Sequence, residues 1–245
     1  MCVTIILKNF FKNVPLIIGN NRDEFVSRNF IPPTVISESP YAVAGVDLIK
    51  GGTWLGLNEF GIVVNVLNKF KSKENFYGSD QYKSRGTLIT ELIKKRTIEH
   101  VVSSVRELHL GDYLPFYLVI ADKEKVYFVE YDESINCVEI KDNVFIAGNL
   151  NPFDKTWIKY QKGYSFFNNI KYKELNKLIN ELKILLKYHS GDKNIPSTDF
   201  SVNLGDFQTT SSTLLIFKER NTEYYFANGS PVNSDYQDYS FLLSE

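Results

Sequence analysis

The chain has 245 residues, 43% hydrophobic and 14% aromatic, with 28 basic and 29 acidic side chains and a net charge of −1. That composition supplies one sizeable core and excludes a disordered chain, while the near-neutral charge gives no field for nucleic acid or an acidic membrane. Two cysteines, Cys2 and Cys137, exclude a disulfide framework and fit a reduced, cytoplasmic setting. Lys8 and Asn9 break the first apolar run too early for a signal peptide, and no stretch approaches the ~20 apolar residues of a membrane span. The expectation is a single domain over 1–245.

In chain order, Cys2 to Leu7 reads as a strand, Lys8 to Asn13 as a polar turn and Val14 to Ile18 as a second strand, together a hairpin. A dense polar cluster follows at the strand end, Gly19-Asn20-Asn21-Arg22-Asp23-Glu24-Phe25, and then a loop at Pro32-Pro33. Turn chemistry and structural ion pairing both account for such a cluster, as does a site. Gly51-Gly52-Thr53-Trp54-Leu55-Gly56 has no following Lys-Ser/Thr and is not a phosphate loop. Asn58-Glu59-Phe60-Gly61 turns into the strand Ile62 to Leu67, which ends in Asn68.

A polar stretch, Lys69 to Tyr82, reads as a loop. Ser84 is placed as the N-cap of a helix carrying Leu88, Ile89, Leu92 and Ile93, and Thr97 starts a second with Val101, Val102, Val105 and Leu108. His100 and His109 share no helical face and no Cys or carboxylate pattern completes a metal site, so no metal is expected. Strands follow at Phe116–Ala121, Val126–Tyr131, Cys137–Ile140 and Val144–Ala147, the last running into Gly148-Asn149. Cys137 is read as core. Trp157 to Ser190 is read as helical, with an apolar stripe at Leu175, Leu178, Ile179, Leu182, Leu185 and Leu186. A polar linker, Gly191–Asp206, leads to a hairpin of Ser211–Phe217 and Glu223–Ala227, and the tail from Gly229 is read as loosely packed. Strand and helix blocks alternate with short hairpin links, which points to an α+β layered sandwich with mostly antiparallel sheets.

Cys2 is the residue of greatest chemical interest. Once Met1 is removed it carries a thiol and a free α-amine whose ordinary pKa of about 7.7–8.0 makes it a usable base. Nucleophile and base then come from one residue. By position alone, a small side chain filling space at a sheet edge fits equally well.

Met1-Cys2, Asn21-Arg22-Asp23-Glu24, Gly51-Gly52-Thr53-Trp54-Leu55-Gly56, Asn58-Glu59-Phe60-Gly61, Gly148-Asn149, Asp154-Lys155-Thr156-Trp157 with Lys159, and Thr210-Ser211-Ser212-Thr213 together resemble the NRDE family, that of Transport and Golgi organisation protein 2. That family is in turn similar to the N-terminal nucleophile (Ntn) hydrolases of the cysteine amidase type. The resemblance implies a four-layer αββα sandwich and an amidohydrolase or acyltransferase acting on a non-peptide amide of a small molecule. It implies Cys2 as nucleophile, Asp23 orienting the α-amine, Asn68 as an oxyanion-hole amide and Asn149 as a second amide. Asn21, Arg22, Glu24 and Trp54 are supporting or substrate-binding candidates. Two positions depart from the pattern: Asn20 stands where cysteine-type amidases carry an arginine, and Thr210 where NRDE proteins carry one. No cofactor is expected. The competing reading, from the animal members, is a non-catalytic haem- or lipid-handling protein on the same scaffold.

Overall fold

The computed structural model describes residues 2–70, 81–154, 156–168, 174–191 and 198–243. Most of the polar loop expected at Lys69 to Tyr82, the Lys155 of the resemblance, a piece of the expected helical segment and part of the polar linker lie outside the described residues. The chain divides into two compact units, one made of 1–27 with 142–245 and the other of 28–141.

The first unit is built on a six-stranded sheet in the order β10-β1-β2-β11-β12-β13. Its strands are β1 (Val3–Phe11), β2 (Val14–Phe25), β10 (Val144–Ala147), β11 (Phe207–Phe217), β12 (Thr222–Ala227) and β13 (Gln237–Asp238). All its pairings are antiparallel. The hairpin of β1 and β2 forms as expected, but β2 does not stop at Ile18. It continues through the whole polar run to Phe25, because β11 pairs with it from Phe25 to Leu16.

Two helices pack on one face of this sheet, α3 (Ile158–Asn168) and α4 (Leu175–Lys187). Leu178, Leu182, Leu185 and Leu186 of α4 are buried against Val3, Ile5, Ile17, Leu214 and Ile216, so the apolar stripe is core packing. Each such leucine contributes roughly 1.5–3 kcal/mol by leaving water. The tail is anchored, contrary to the expectation of loose packing: β13 pairs with β12, and the Tyr236 hydroxyl lies 2.6 Å from Ser212 Oγ.

The second unit carries a seven-stranded antiparallel sheet in the order β3-β4-β5-β6-β7-β8-β9. Its strands are β3 (Phe30–Glu38), β4 (Tyr41–Asp47), β5 (Leu55–Asn58), β6 (Val63–Asn68), β7 (Phe116–Ala121), β8 (Val126–Tyr131) and β9 (Ile135–Glu139). Pro32 and Pro33 lie inside β3 and not in a loop. An edge strand has one row of N–H groups that no ladder needs, and β3 is an edge. Cys137 is likewise on an edge, in β9; it is half-buried, and its neighbour Val138 is 46% exposed, so it is not a core residue. Helices α1 (Arg85–Leu92) and α2 (Ile98–Arg106) pack on this sheet through Leu88, Ile89 and Leu92, and through Ile98, Val101, Val102 and Val105. Thr97 Oγ1 accepts from the His100 N–H at 3.2 Å and caps α2, whereas Ser84 makes no side-chain cap bond.

Candidate active site

The start of β1 brings together most of the residues singled out above. Thr4 pairs with Ala147 of β10, and Val3 with Asn21 of β2. Cys2 therefore lies one residue beyond the ladder with β2 and two beyond the ladder with β10, where the turn that carries Gly148 and Asn149 passes close to its carbonyl. The Cys2 thiol is half-buried and donates to the Asp23 carbonyl at 3.7 Å. Burial pushes this thiol up; the positive chain terminus opposes that, and the charges of Asp23 and Glu24 add to it. A thiol raised in this way favours its protonated form.

Asp23 is buried and accepts from Thr209 Oγ1 of β11 at 2.6 Å. The Arg22 guanidinium donates from Nη1 to Thr210 Oγ1 at 2.9 Å, so the hydroxyl at position 210 anchors the nearby cation. Glu24 is half-buried, and its Oε1 accepts from the Phe25 N–H at 3.0 Å. Asn20 ties the two first strands together, donating to the Val3 carbonyl at 3.1 Å and to Thr4 Oγ1 at 3.0 Å.

Asn21 has another task. Its Nδ2 donates to the Leu186 carbonyl and to the Phe200 carbonyl, each at 2.9 Å, which fastens β2 to the last turn of α4 and to the segment beyond it. Asn149 is buried just after β10. A Cβ on Gly148 would lie 3.3 Å from the Cys2 carbonyl oxygen and 3.1 Å from the Tyr160 hydroxyl, so this turn and the Cys2 backbone approach closely. The Tyr160 hydroxyl, from α3, donates to the Leu150 carbonyl at 2.8 Å and holds the turn from its other side.

Asn68 and Trp54 belong to the second unit. Asn68 ends β6 opposite Phe116. Trp54 is 8% exposed, its carbonyl accepts from Asn65 Nδ2 at 2.9 Å, and its ring meets Phe30 edge-on at 5.4 Å. A Cβ on Gly45 would lie 2.4 Å from the Trp54 ring, so that glycine makes room for it. A Cβ on Gly52 would lie 2.2 Å from the backbone of Gly86 at the start of α1, so this position is packed as tightly. Asn58, buried, accepts from the Phe60 and Ile62 N–H groups and donates to the Ile93 and Lys95 carbonyls. These family-like residues fix the fold of the second unit.

One residue of the quoted motifs was given no role from the sequence. Lys159, in the first turn of α3, is 7% exposed, with its ammonium 5.8 Å from the centre of the Phe200 ring. Burial pushes it down, and the charges of Asp23, Asp199 and Cys2 pull it back up. A signal was present: a lysine in the first turn of a helix opposes the helix dipole and calls for a local reason. Among the described residues, no group of three or more His, Cys, Asp or Glu side chains is placed to hold a metal. No helix among the described residues is long and apolar enough to cross a membrane.

Solved structures share this fold at low identity. An N-acylethanolamine-hydrolysing acid amidase orthologue from Caenorhabditis elegans is similar with a TM-score of 0.64 and 13% identity, over 88% of this chain and 92% of that one. Two variants of the conjugated bile acid hydrolase from Clostridium perfringens are similar with TM-scores of 0.60 and 0.55, both at 12% identity, over 100% of this chain and 95% of theirs. No curated protein sequence matches. The α+β architecture, two antiparallel sheets with four helices, is thus of the kind found in Ntn hydrolases. At the level of sequence, the family model for Transport and Golgi organisation 2 matches residues 1–230, across both units and every residue of the Cys2 cluster, and the chain belongs to that family.

Proposed function

We propose that this protein is an Ntn-type cysteine hydrolase or acyltransferase that acts on a non-peptide amide bond of a small molecule, with Met1 removed. The observation that carries the proposal is the seat of Cys2 at the head of β1, its thiol 3.7 Å from the Asp23 carbonyl and its backbone close to the turn of Gly148 and the buried Asn149. The α-amine of Cys2 takes the thiol proton, and the thiolate attacks the amide carbonyl. The resulting ammonium gives its proton to the leaving nitrogen, the carbon–nitrogen bond breaks, and a thioester remains on Cys2. Water or an acceptor amine then releases the acyl group and restores the thiol. Asp23 and Asn149 hold the amine. The oxyanion role of Asn68 rests on the resemblance alone, and an amide so placed contributes about 2.7–4 kcal/mol.

The names of the structural neighbours supply the probes: N-acylethanolamines and conjugated bile acids. The test is amine release from such a panel by protein whose intact mass proves Met1 removal. The expected result is turnover with a trapped acyl mass on residue 2, both abolished by Cys2→Ala. Processed, folded protein that forms no acyl adduct and releases no amine would overturn the reading. Binding of haem or acyl lipid by that inactive protein would support the competing, non-catalytic role.

A further inference from the structure

A sheet edge presents a row of N–H and C=O groups that another chain can pair with, and folded proteins cover, shorten or interrupt such edges. Three of the four edges among the described residues are treated in that way. β3 carries Pro32 and Pro33, and its ladder with β4 shifts register twice. β10 is buried along its whole length, and β13 is two residues long. The fourth edge, β9, has no proline, and its ladder with β8 runs without a shift from Ile135 to Glu139. Val138 stands on it 46% exposed.

The direction of the β9 backbone groups follows from one bond. The Ile140 N–H donates to the Val126 carbonyl at 2.8 Å, so hydrogen-bonded and non-hydrogen-bonded pairs alternate back from there. Asn136 and Val138 turn their N–H and C=O toward β8, while Ile135, Cys137 and Glu139 turn theirs outward. That outward row is symmetric about Cys137. A second β9 laid antiparallel, with Cys137 opposite Cys137, exchanges bonds at every outward position, Ile135 of each copy meeting Glu139 of the other. A shift of two residues either way loses one of these pairs. The ends match as well. In this register the turn between β8 and β9 of one copy, which carries the exposed Glu133, lies beside Lys141 of the other, whose side chain is 76% exposed. The other acid of that turn, Asp132, is already held by Lys69 at 2.6 Å.

We propose that β9 is the interface of a two-fold homodimer, in which two copies of this chain join their seven-stranded sheets edge to edge through Ile135, Cys137 and Glu139. A closed two-fold pair uses the same patch on both copies, and this edge is complementary to itself in backbone and in charge. Five residues of edge fall short of the ~1,000 Å² of a stable interface, so the dimer is weak and depends on concentration. The inference is independent of the chemistry at Cys2.

The test is sedimentation velocity of the full chain from low to high micromolar concentration, with a short bismaleimide added in parallel and the cross-linked peptides mapped by mass. The expected result is a monomer–dimer equilibrium and a Cys137–Cys137 peptide joined between copies, since opposed Cβ atoms on paired strands lie about 4.5–5.5 Å apart. Cys137→Pro removes an outward N–H and leaves the ladder with β8, a change that edge strands accept, and is expected to weaken association roughly tenfold or more. Lys141→Glu sets like charges together and is expected to weaken it about threefold at low salt, and Lys141→Glu combined with Glu133→Lys to restore it. Folded protein that stays monomeric throughout, or that associates equally well as Cys137→Pro, overturns the proposal, as does a cross-link map without the Cys137 pair. If Cys137→Pro does not fold, the exposed charge pair decides: association that Lys141→Glu leaves unmoved, or that the double exchange fails to restore, overturns it.

Discussion

The Thr209 hydroxyl donates to Asp23 Oδ1 at 2.6 Å and accepts from the Val202 N–H at 2.8 Å, so one side chain links the carboxylate beside Cys2 to a loop. Thr209→Val keeps the shape and removes both bonds, leaving a buried N–H and a carboxylate oxygen short of a partner. The expected loss is about 2–4 kcal/mol, read by urea denaturation, with Thr209→Ser close to the parent. A Thr209→Val protein as stable as the parent would mean that the loop relaxes to water.

Asn21 and Asn58 carry family-like motifs, and each is expected to act through stability. Asn21→Leu orphans the Leu186 and Phe200 carbonyls, and Asn58→Ala breaks four hydrogen bonds at the junction of β5 with the end of α1. Each is expected to lower stability by about 2–4 kcal/mol. Asn21→Leu protein that remains folded is expected to keep Cys2 labelling within about twofold of the parent. A tenfold change in that rate at unchanged stability would instead place Asn21 among the residues acting on the thiol.

These two asparagines also show where the sequence was legible. The apolar strands β6, β7, β8 and β10 and the leucine stripe of α4 declare themselves by composition and period. The run Asn20 to Phe25 does not. It looks like a strand end because its residues are polar, and it is a strand interior because β11 offers hydroxyls and backbone to it from far along the chain. The Thr209 to Asp23 bond closes a separation of 186 residues. No local pattern announces which polar residues will find such partners. Lys159 was quoted in a motif, but nothing local announces that this first-turn lysine of α3 is buried beside Phe200. The resemblance named Cys2, Asp23 and Asn149, and β10, β1 and β2 bring those three together. It also named Trp54, which packs against Phe30 in the second unit.

Methionine removal is expected to change the reactivity of Cys2. With Met1 in place, burial and the nearby carboxylates keep the thiol above its ordinary range, so the thiolate fraction at pH 7.5 is small. Removal moves the free amine onto the same residue. Peptide mapping after brief alkylation is expected to find Cys2 slower than a model thiol in the Met1-retaining form and several-fold faster in the processed form. Equal rates would mean that the amine does not reach the sulfur.

Several tyrosines tie stability to alkaline pH. Burial pushes Tyr117 up to about 12, with the Lys69 cation opposing, and burial also carries Tyr224 and Tyr236 well above the ordinary range. A folded value above the unfolded one means that the stabilisation is complete below about pH 10 and is lost as pH rises toward the folded value. Ionisation of Tyr117, Tyr224 and Tyr236, followed at 295 nm, is therefore expected only as the fold gives way. A single transition near pH 10 with the fold intact would contradict the burial of all three.

The first sheet is assembled from the two ends of the described chain, with β1 and β2 at its middle and β10 and β11 on either side of them. During synthesis the hairpin that bears Cys2 and Asp23 is made first, and its flanking strands, β10 and β11, come more than a hundred residues later. At the usual 5–20 residues per second, roughly 10–40 s separate Phe25 from the arrival of β11. Throughout that interval the Cys2 end lacks its Thr209 partner, and until α3 and α4 emerge it lacks their cover as well. The order in which the chain is spoken thus leaves the Cys2 end open for most of synthesis, and the arrival of β11 closes it.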